Sequence, residues 1–190
     1  MIDYREKISK YIDVEKEVLD ALSTDDISEV MNVLENARLS QKRIFICGNG
    51  GSASTAAHLE CDFNKGISYN QDIKYDIECI SDNMPMMMAI ANDIGYENVF
   101  VVPLKNKLKK GDIVIGISGS GNSENIVRAL EYANTLGADT IAFTGYSGGR
   151  LKEISKYNVH VAIDNMQIVE DVHLILNHMM MFILSGMKGC

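Results

Sequence analysis

The chain has 190 residues, 46% hydrophobic and 23% charged, the composition of one soluble globular domain, two at most. Eighteen basic against 26 acidic side chains leave a net charge of −8. That balance excludes a broad nucleic-acid-binding face and looks unfavourable for an anionic ligand.

The first twenty residues carry charges throughout and no apolar core, so no signal peptide is expected. The longest apolar stretch, Leu174 to Leu184, holds Asn177 and His178. It falls short of the roughly 20 residues a membrane span needs. Cys47, Cys61, Cys79 and Cys190 are scattered with no CxxC pair, a pattern that fits reduced thiols in a cytoplasm.

Residues 1–39 read as two helices. Ile8, Ile12, Val14, Val18, Leu19 and Leu22 recur at helical spacing, and Asp25 or Asp26 is the expected cap of a second helix carrying Ile27, Val30 and Leu34. The pattern then changes. Arg43 to Cys47 is a short apolar strand ending in Gly48-Asn-Gly-Gly-Ser52, followed by an alanine-rich helix through His58 and Asp62. Tyr75 to Ile80 reads as a second strand and Met84 to Ile90 as a helix ending near Asn92-Asp93. Asp112 to Ile117 is a third strand, running into Ser118-Gly-Ser-Gly-Asn-Ser123 and another helix. Thr140 to Phe143 and Val159 to Ile163 complete five strands, and an apolar helix spans about Gln167 to Met187. Strands alternating with helices predict an α/β fold with a parallel sheet covered on both faces. Ligands in such sheets bind beyond the carboxyl ends of the strands, where the glycine/serine-rich segments fall.

Two of those segments suggest anion chemistry. In Ser118 to Ser123, glycines allow close backbone approach, hydroxyls supply donors, and the following helix presents free N–H groups. An ordinary strand-to-helix turn has similar composition. The lysine-bearing P-loop pattern is absent, and GNGGS lacks GxGxxG spacing, so no nucleotide cofactor is expected. Two cradles suggest a ligand with a phosphate at one end and hydroxyls elsewhere, the latter served by Asn49 and Ser52. His58 and Asp62 lie four apart on one helix face, a spacing suited to a metal or to acid–base work. Glu60 points elsewhere and is expected to be solvated or at an interface. On the last helix, Glu170, Asp171, His173 and His178 are costly among apolar neighbours unless paired or functional. Asp171 and His178 share a face, with Glu170 about 80° away, so either acid could accompany His178. The methionine clusters Met84 to Met88 and Met179 to Met181 are expected to fill packing surfaces.

Taken in order, GNGGS, AAHLECD, ANDIGYE, GISGSGNSENI, FTGYSGG and EDVHLILNH resemble the sugar isomerase (SIS) domain family, and within it the phosphoheptose isomerases. The resemblance covers nearly the whole chain. It implies one SIS domain over residues 1–190, a three-layer α/β/α sandwich with a flavodoxin-like parallel sheet, and extra N-terminal helices (1–39) used in oligomer packing. It further implies a homotetramer with shared active sites acting on a phosphorylated sugar; the cysteine pattern, net charge and short apolar runs already point to a cytoplasmic protein without nucleic-acid or membrane partners. Matched by position, the phosphate-binding serines fall on Ser118, Ser120 and Ser123. The sugar-contacting loop falls on Asn49, Gly50, Gly51 and Ser52, with Asn92 and Asp93 nearby. The catalytic pair falls on Asp62 and His178. Some members bind one Zn²⁺ per site through counterparts of His58, Asp62, Glu170 and His178.

The chain departs from the family pattern at three places. Asp62 stands where glutamate is usual, Glu170 where glutamine is usual, and Gly119 where threonine is usual. The implied activity is aldose–ketose isomerisation of sedoheptulose 7-phosphate through an enediol(ate). The alternatives within the family are an isomerase of another sugar phosphate and a non-catalytic scaffold of the DnaA initiator-associating type.

Overall fold

A computed structural model describes residues 2–186. Helices α1 (Arg5–Asp20) and α2 (Thr24–Leu39) precede strand β1 (Ile44–Gly48) and helix α3 (Gly51–Cys61). Strand β2 (Ile77–Cys79), helix α4 (Met84–Ile94) and helix α5 (Val101–Lys107) follow. Then come β3 (Ile113–Ser118), α6 (Glu124–Leu136), β4 (Asp139–Gly145), α7 (Gly149–Ile154), β5 (Tyr157–Val161) and α8 (Met166–Leu184). The expected helix end at Met187 and Cys190 lie outside the described residues.

All strand pairs are parallel, in the order β2-β1-β3-β4-β5. The α/β expectation therefore holds, and the sheet reverses its direction of growth between β1 and β3. Side chains alternate between the two faces. Ile44 and Ile46 of β1 join a core formed with α2, α3 and α8, whereas Phe45 and Cys47 join one formed with α4, α5, α6 and α7. Each central strand is fully buried, which is why it reads as an unbroken apolar run. Cys47 and Cys79 are buried free thiols and Cys61 an exposed one. No helix among the described residues is long and apolar enough to cross a membrane.

Local detail departs from expectation in several places. Helix α2 is capped by Ser23, whose hydroxyl accepts the Asp26 N–H at 3.2 Å; Asp25 and Asp26 lie in the first turn, where a negative charge complements the helix dipole. Helices α5 and α7 are too short for their periodicity to show in sequence. At its C-terminal end α3 widens into a π-helical turn over Asp62–Ile67. Glu60 is half-buried: its carboxylate accepts the Cys79 N–H at 3.1 Å, closing the end of edge strand β2, and burial raises its pKa. Met84 and Met88 are exposed, and Met180 is buried in the core.

His173 of α8 is buried beside Phe143 (ring centroids 5.9 Å apart), with Nε2 3.4 Å from the Thr144 carbonyl oxygen. Burial pushes its pKa down to about 4, so the folded state holds it neutral. The unfolded chain protonates it near pH 6.5. Its stabilising contribution is therefore complete above pH 6.5 and is lost as pH falls towards 4, with about 2 kcal/mol gone by pH 5. Thermal melts should show a midpoint lower by several degrees at pH 5 than at pH 7.5. His173→Leu should flatten that slope, and an unchanged slope would contradict the assignment.

Candidate active site

The reversal between β1 and β3 opens a crevice beyond their carboxyl ends, where open α/β sheets bind ligands. Both glycine/serine segments meet there. Asn49 and Ser52 after β1, and Ser118, Gly119, Ser120 and Ser123 after β3, line one cavity of about 160 Å³, closed by Met166 and Glu170 of α8. Ser118 is 4% exposed; its Oγ lies 3.1 Å from Ser123 Oγ and accepts the Gly121 N–H at 3.2 Å. Ser123 is the N-cap of α6, so the cavity sits on a helix N-terminus with hydroxyl donors around it. Acidic Glu124, in the first turn, is drawn off by ion pairs to Arg128 and Arg150.

This loop is held by the turn after β4. Gly145 donates its N–H to the Gly119 carbonyl at 2.8 Å, and Leu151 donates to the Gly121 carbonyl at 2.9 Å. Asn122 closes the strap, its Oδ1 accepting the Arg150 N–H at 3.1 Å. Gly121 has φ +67°, and a methyl group there would overlap the Gly148 carbonyl oxygen.

Asn49 is more committed than its sequence position suggests. Its amide pairs reciprocally with Asn125 (2.9 and 3.0 Å), and its Oδ1 also accepts the Tyr96 hydroxyl at 2.7 Å. Asn125 (3% exposed), Tyr96 and Met166 are therefore site residues that the sequence reading missed. The signal for Asn125 was a polar side chain in the first turn of an otherwise apolar helix face. Gly50 (φ +55°) turns the chain into α3. Gly51 lies so close to Glu170 that a side chain there would overlap the carboxylate. Asn92 and Asp93 do not line this cavity in the chain; they are exposed at the end of α4 and bond to each other at 2.8 Å.

A second cluster lies further along the α3–α8 contact. His58 Nε2 is 3.4 Å from Asp62 Oδ2, His178 Nε2 is 3.9 Å from the same oxygen, and the two Nε2 atoms are 3.4 Å apart. Three donor atoms thus converge on one point. A tetrahedral ion with bonds of about 2.1 Å holds its ligands about 3.4 Å apart, so the triad has the dimensions of a metal site. Glu170, the fourth residue of the expected ligand set, is not with them: it closes the serine cavity, and eight residues of α8, about 12 Å of rise, separate it from His178. Asp171 is not with them either. It accepts the Tyr11 hydroxyl from α1, in a cleft that Glu15 and His178 also line. Asp171 thus shares a cleft with His178 but is committed to Tyr11, and the carboxylate beside His178 Nε2 is that of Asp62.

Comparison with known proteins identifies the family and the fold. The SIS domain family matches residues 4–145. The phosphoheptose isomerase of Akkermansia muciniphila is 33% identical over 154 residues, covering 81% of each chain. That of Helicobacter pylori (strain P12) is 33% identical over 177 residues, covering 93% of this chain and 88% of its own. Among solved structures, the phosphoheptose isomerase of Francisella tularensis superposes with a TM-score of 0.89 at 23% identity, over 98% of this chain and all of that one. The Neisseria gonorrhoeae enzyme superposes with a TM-score of 0.87 at 22% identity, over 97% of this chain and all of that one. With a family match across most of the chain and phosphoheptose isomerase relatives at one-third identity over most of its length, the chain belongs to the SIS domain family, among the phosphoheptose isomerases.

Proposed function

We propose that the protein interconverts sedoheptulose 7-phosphate and D-glycero-D-manno-heptose 7-phosphate. The observation that carries this reading is the pairing of two sites along the α3–α8 contact: a serine-lined anion cradle and a histidine–aspartate triad. The relatives named phosphoheptose isomerase supply the substrate. The phosphate rests on the hydroxyls of Ser118, Ser120 and Ser123 and on the α6 N-terminus, which bind an anion without a cationic side chain. Glu170, at the edge of the cradle, accepts from sugar hydroxyls.

Isomerisation moves a proton between adjacent carbons and another between their oxygens. Asp62 removes the proton from the carbon next to the carbonyl and returns it to the neighbouring carbon. His178 moves the proton between the two oxygens. The residues fit a divalent ion, and Zn²⁺ suits two imidazoles and a carboxylate. His58, Asp62 and His178 would hold it, and when bound it would polarise the carbonyl oxygen. Asp62 acts either as tight ligand or as free base.

A homotetramer with shared sites is part of the proposal. The sixteen-residue helix α1 buries no residue within the chain and exposes Ile8, Tyr11 and Ile12, an apolar stripe suited to packing against another copy. Cytoplasmic location is consistent with the free thiols of Cys47, Cys61 and Cys79.

The direct test is formation of the aldose from sedoheptulose 7-phosphate by purified protein, with and without added zinc. No turnover under either condition would overturn the assignment. Within an active enzyme, Ser123→Ala should raise KM about tenfold by removing one hydrogen bond to a charged group, with kcat nearly unchanged. Steady-state kinetics check this, and a loss confined to kcat would remove Ser123 from the phosphate cradle.

A further inference from the structure

Asn177 is 0% exposed, one position before His178 on the apolar helix α8, between buried Leu176 and Met180. A leucine there would keep the branched shape and the number of side-chain heavy atoms and leave no polar atom buried. Instead the fold holds an amide whose Oδ1 is buried without a partner among the described residues, an arrangement that costs stability. What it gains is one bond: Asn177 Nδ2 donates to Asp62 Oδ2 at 2.8 Å. That oxygen is also the one His58 and His178 approach.

Asp62 needs such a partner. It sits where α3 passes into the π-helical turn, and π-turns recur at functional sites. Its side chain is only 15% exposed, yet no Lys or Arg among the described residues pairs with it, and rotation about the short side chain would carry it away from the two imidazoles. The amide, donated from a rigid helix, occupies one lone pair of Oδ2 and fixes the carboxylate plane. Oδ1 and the remaining lone pair are left for an ion or a proton.

We propose that Asn177 is the positioning residue of the active centre: it orients Asp62, as ion ligand or as base, without touching substrate. This rests on the reading of His58, Asp62 and His178 as the reacting centre. The test uses the full chain with Asn177→Leu, and Asn177→Ala in case leucine does not fold. Zinc affinity is measured on the metal-stripped protein by competition with a chromophoric chelator. Loss of a partner behind a metal ligand typically weakens binding or activity 10- to 100-fold. That fall is expected in zinc affinity and in kcat, with KM for sedoheptulose 7-phosphate within about twofold of wild type. Melting temperatures of the metal-free variants show that each is folded before its zinc affinity is compared with wild type.

In an Asp62→Ala background, Asn177→Leu should have no further effect on zinc affinity. Wild-type affinity and kcat in Asn177→Leu or Asn177→Ala would overturn the proposal while leaving the isomerase reading intact. An equal loss in the Asp62→Ala background would show that Asn177 acts elsewhere and would overturn it too. A wild-type protein that neither isomerises the sugar nor binds zinc would sink the underlying reading, and the proposal with it.

Discussion

Replacing His178 with alanine, or Asp62 with asparagine, is expected to lower kcat for sedoheptulose 7-phosphate by about 10²–10⁴-fold, the usual contribution of a positioned acid or base. This corresponds to about 3–5 kcal/mol of transition-state stabilisation. Both side chains meet at one oxygen, Asp62 Oδ2, and neither lines the serine cavity. KM should therefore change little, since the phosphate end of the substrate is held elsewhere. Asp62→Asn keeps the shape and removes the charge, so it isolates proton transfer from packing. The two roles of Asp62 separate in the same experiment. A base gives loss of turnover at every zinc concentration. A ligand gives loss that added zinc partly restores. Wild-type kcat in either variant would remove that residue from the chemistry.

Gly121→Ala is expected to be the most damaging conservative change to the phosphate cradle. At φ +67° the backbone is in the left-handed region, and a methyl group there meets the Gly148 carbonyl oxygen. No rotamer relieves this, because both partners are backbone. The loop after β3 and the turn after β4 are tied by Leu151 donating to the Gly121 carbonyl and Gly145 donating to Gly119, so the strain cannot be relieved by moving one loop alone. A cost of about 3 kcal/mol is expected from backbone strain and overlap together, or about 6–12 °C in Tm for a chain this size. In folded protein, KM should rise more than in Ser123→Ala, because the whole loop is displaced rather than one hydroxyl. Calorimetry and steady-state kinetics check the two parts. Unchanged Tm and KM would mean the strap between the loops is not what shapes the cradle.

The negative net charge sits easily with an anionic substrate once the cradle is described in atoms. Hydroxyls and a helix N-terminus supply the positive potential at short range, and Glu124 beside them is neutralised by Arg128 and Arg150. Net charge acts over the whole surface, screened by salt within about 10 Å, and says little about a buried loop.

Much of this protein was legible from sequence because its signals are local. Short apolar runs bounded by glycine and serine mark fully buried parallel strands, since both faces of each strand meet helices. Glycine at loop positions such as Gly50 and Gly121 marks backbone conformations that other residues resist. The four-residue spacing of His58 and Asp62 places both on one face of α3 by helix geometry alone.

What crosses between elements was not legible. Periodicity left open whether Glu170 or Asp171 joins His178; the fold sets Asp171 in a cleft with it, while the carboxylate at its Nε2 is Asp62. The packing of α3 against α8 sends Glu170 to the serine cavity and Asp171 to Tyr11 of α1, and brings Asp62 to His178 across 116 residues of sequence. Asn177 looked like an interruption in an apolar helix until the same packing set its amide 2.8 Å from Asp62. Helical period fixes the direction of a side chain around its own axis, but the distance between two helices depends on every side chain packed between them. The five strands, the longer helices and the glycine turns were thus determined by the sequence alone, and the short helices and the partners of each polar group in the site were decided by tertiary packing.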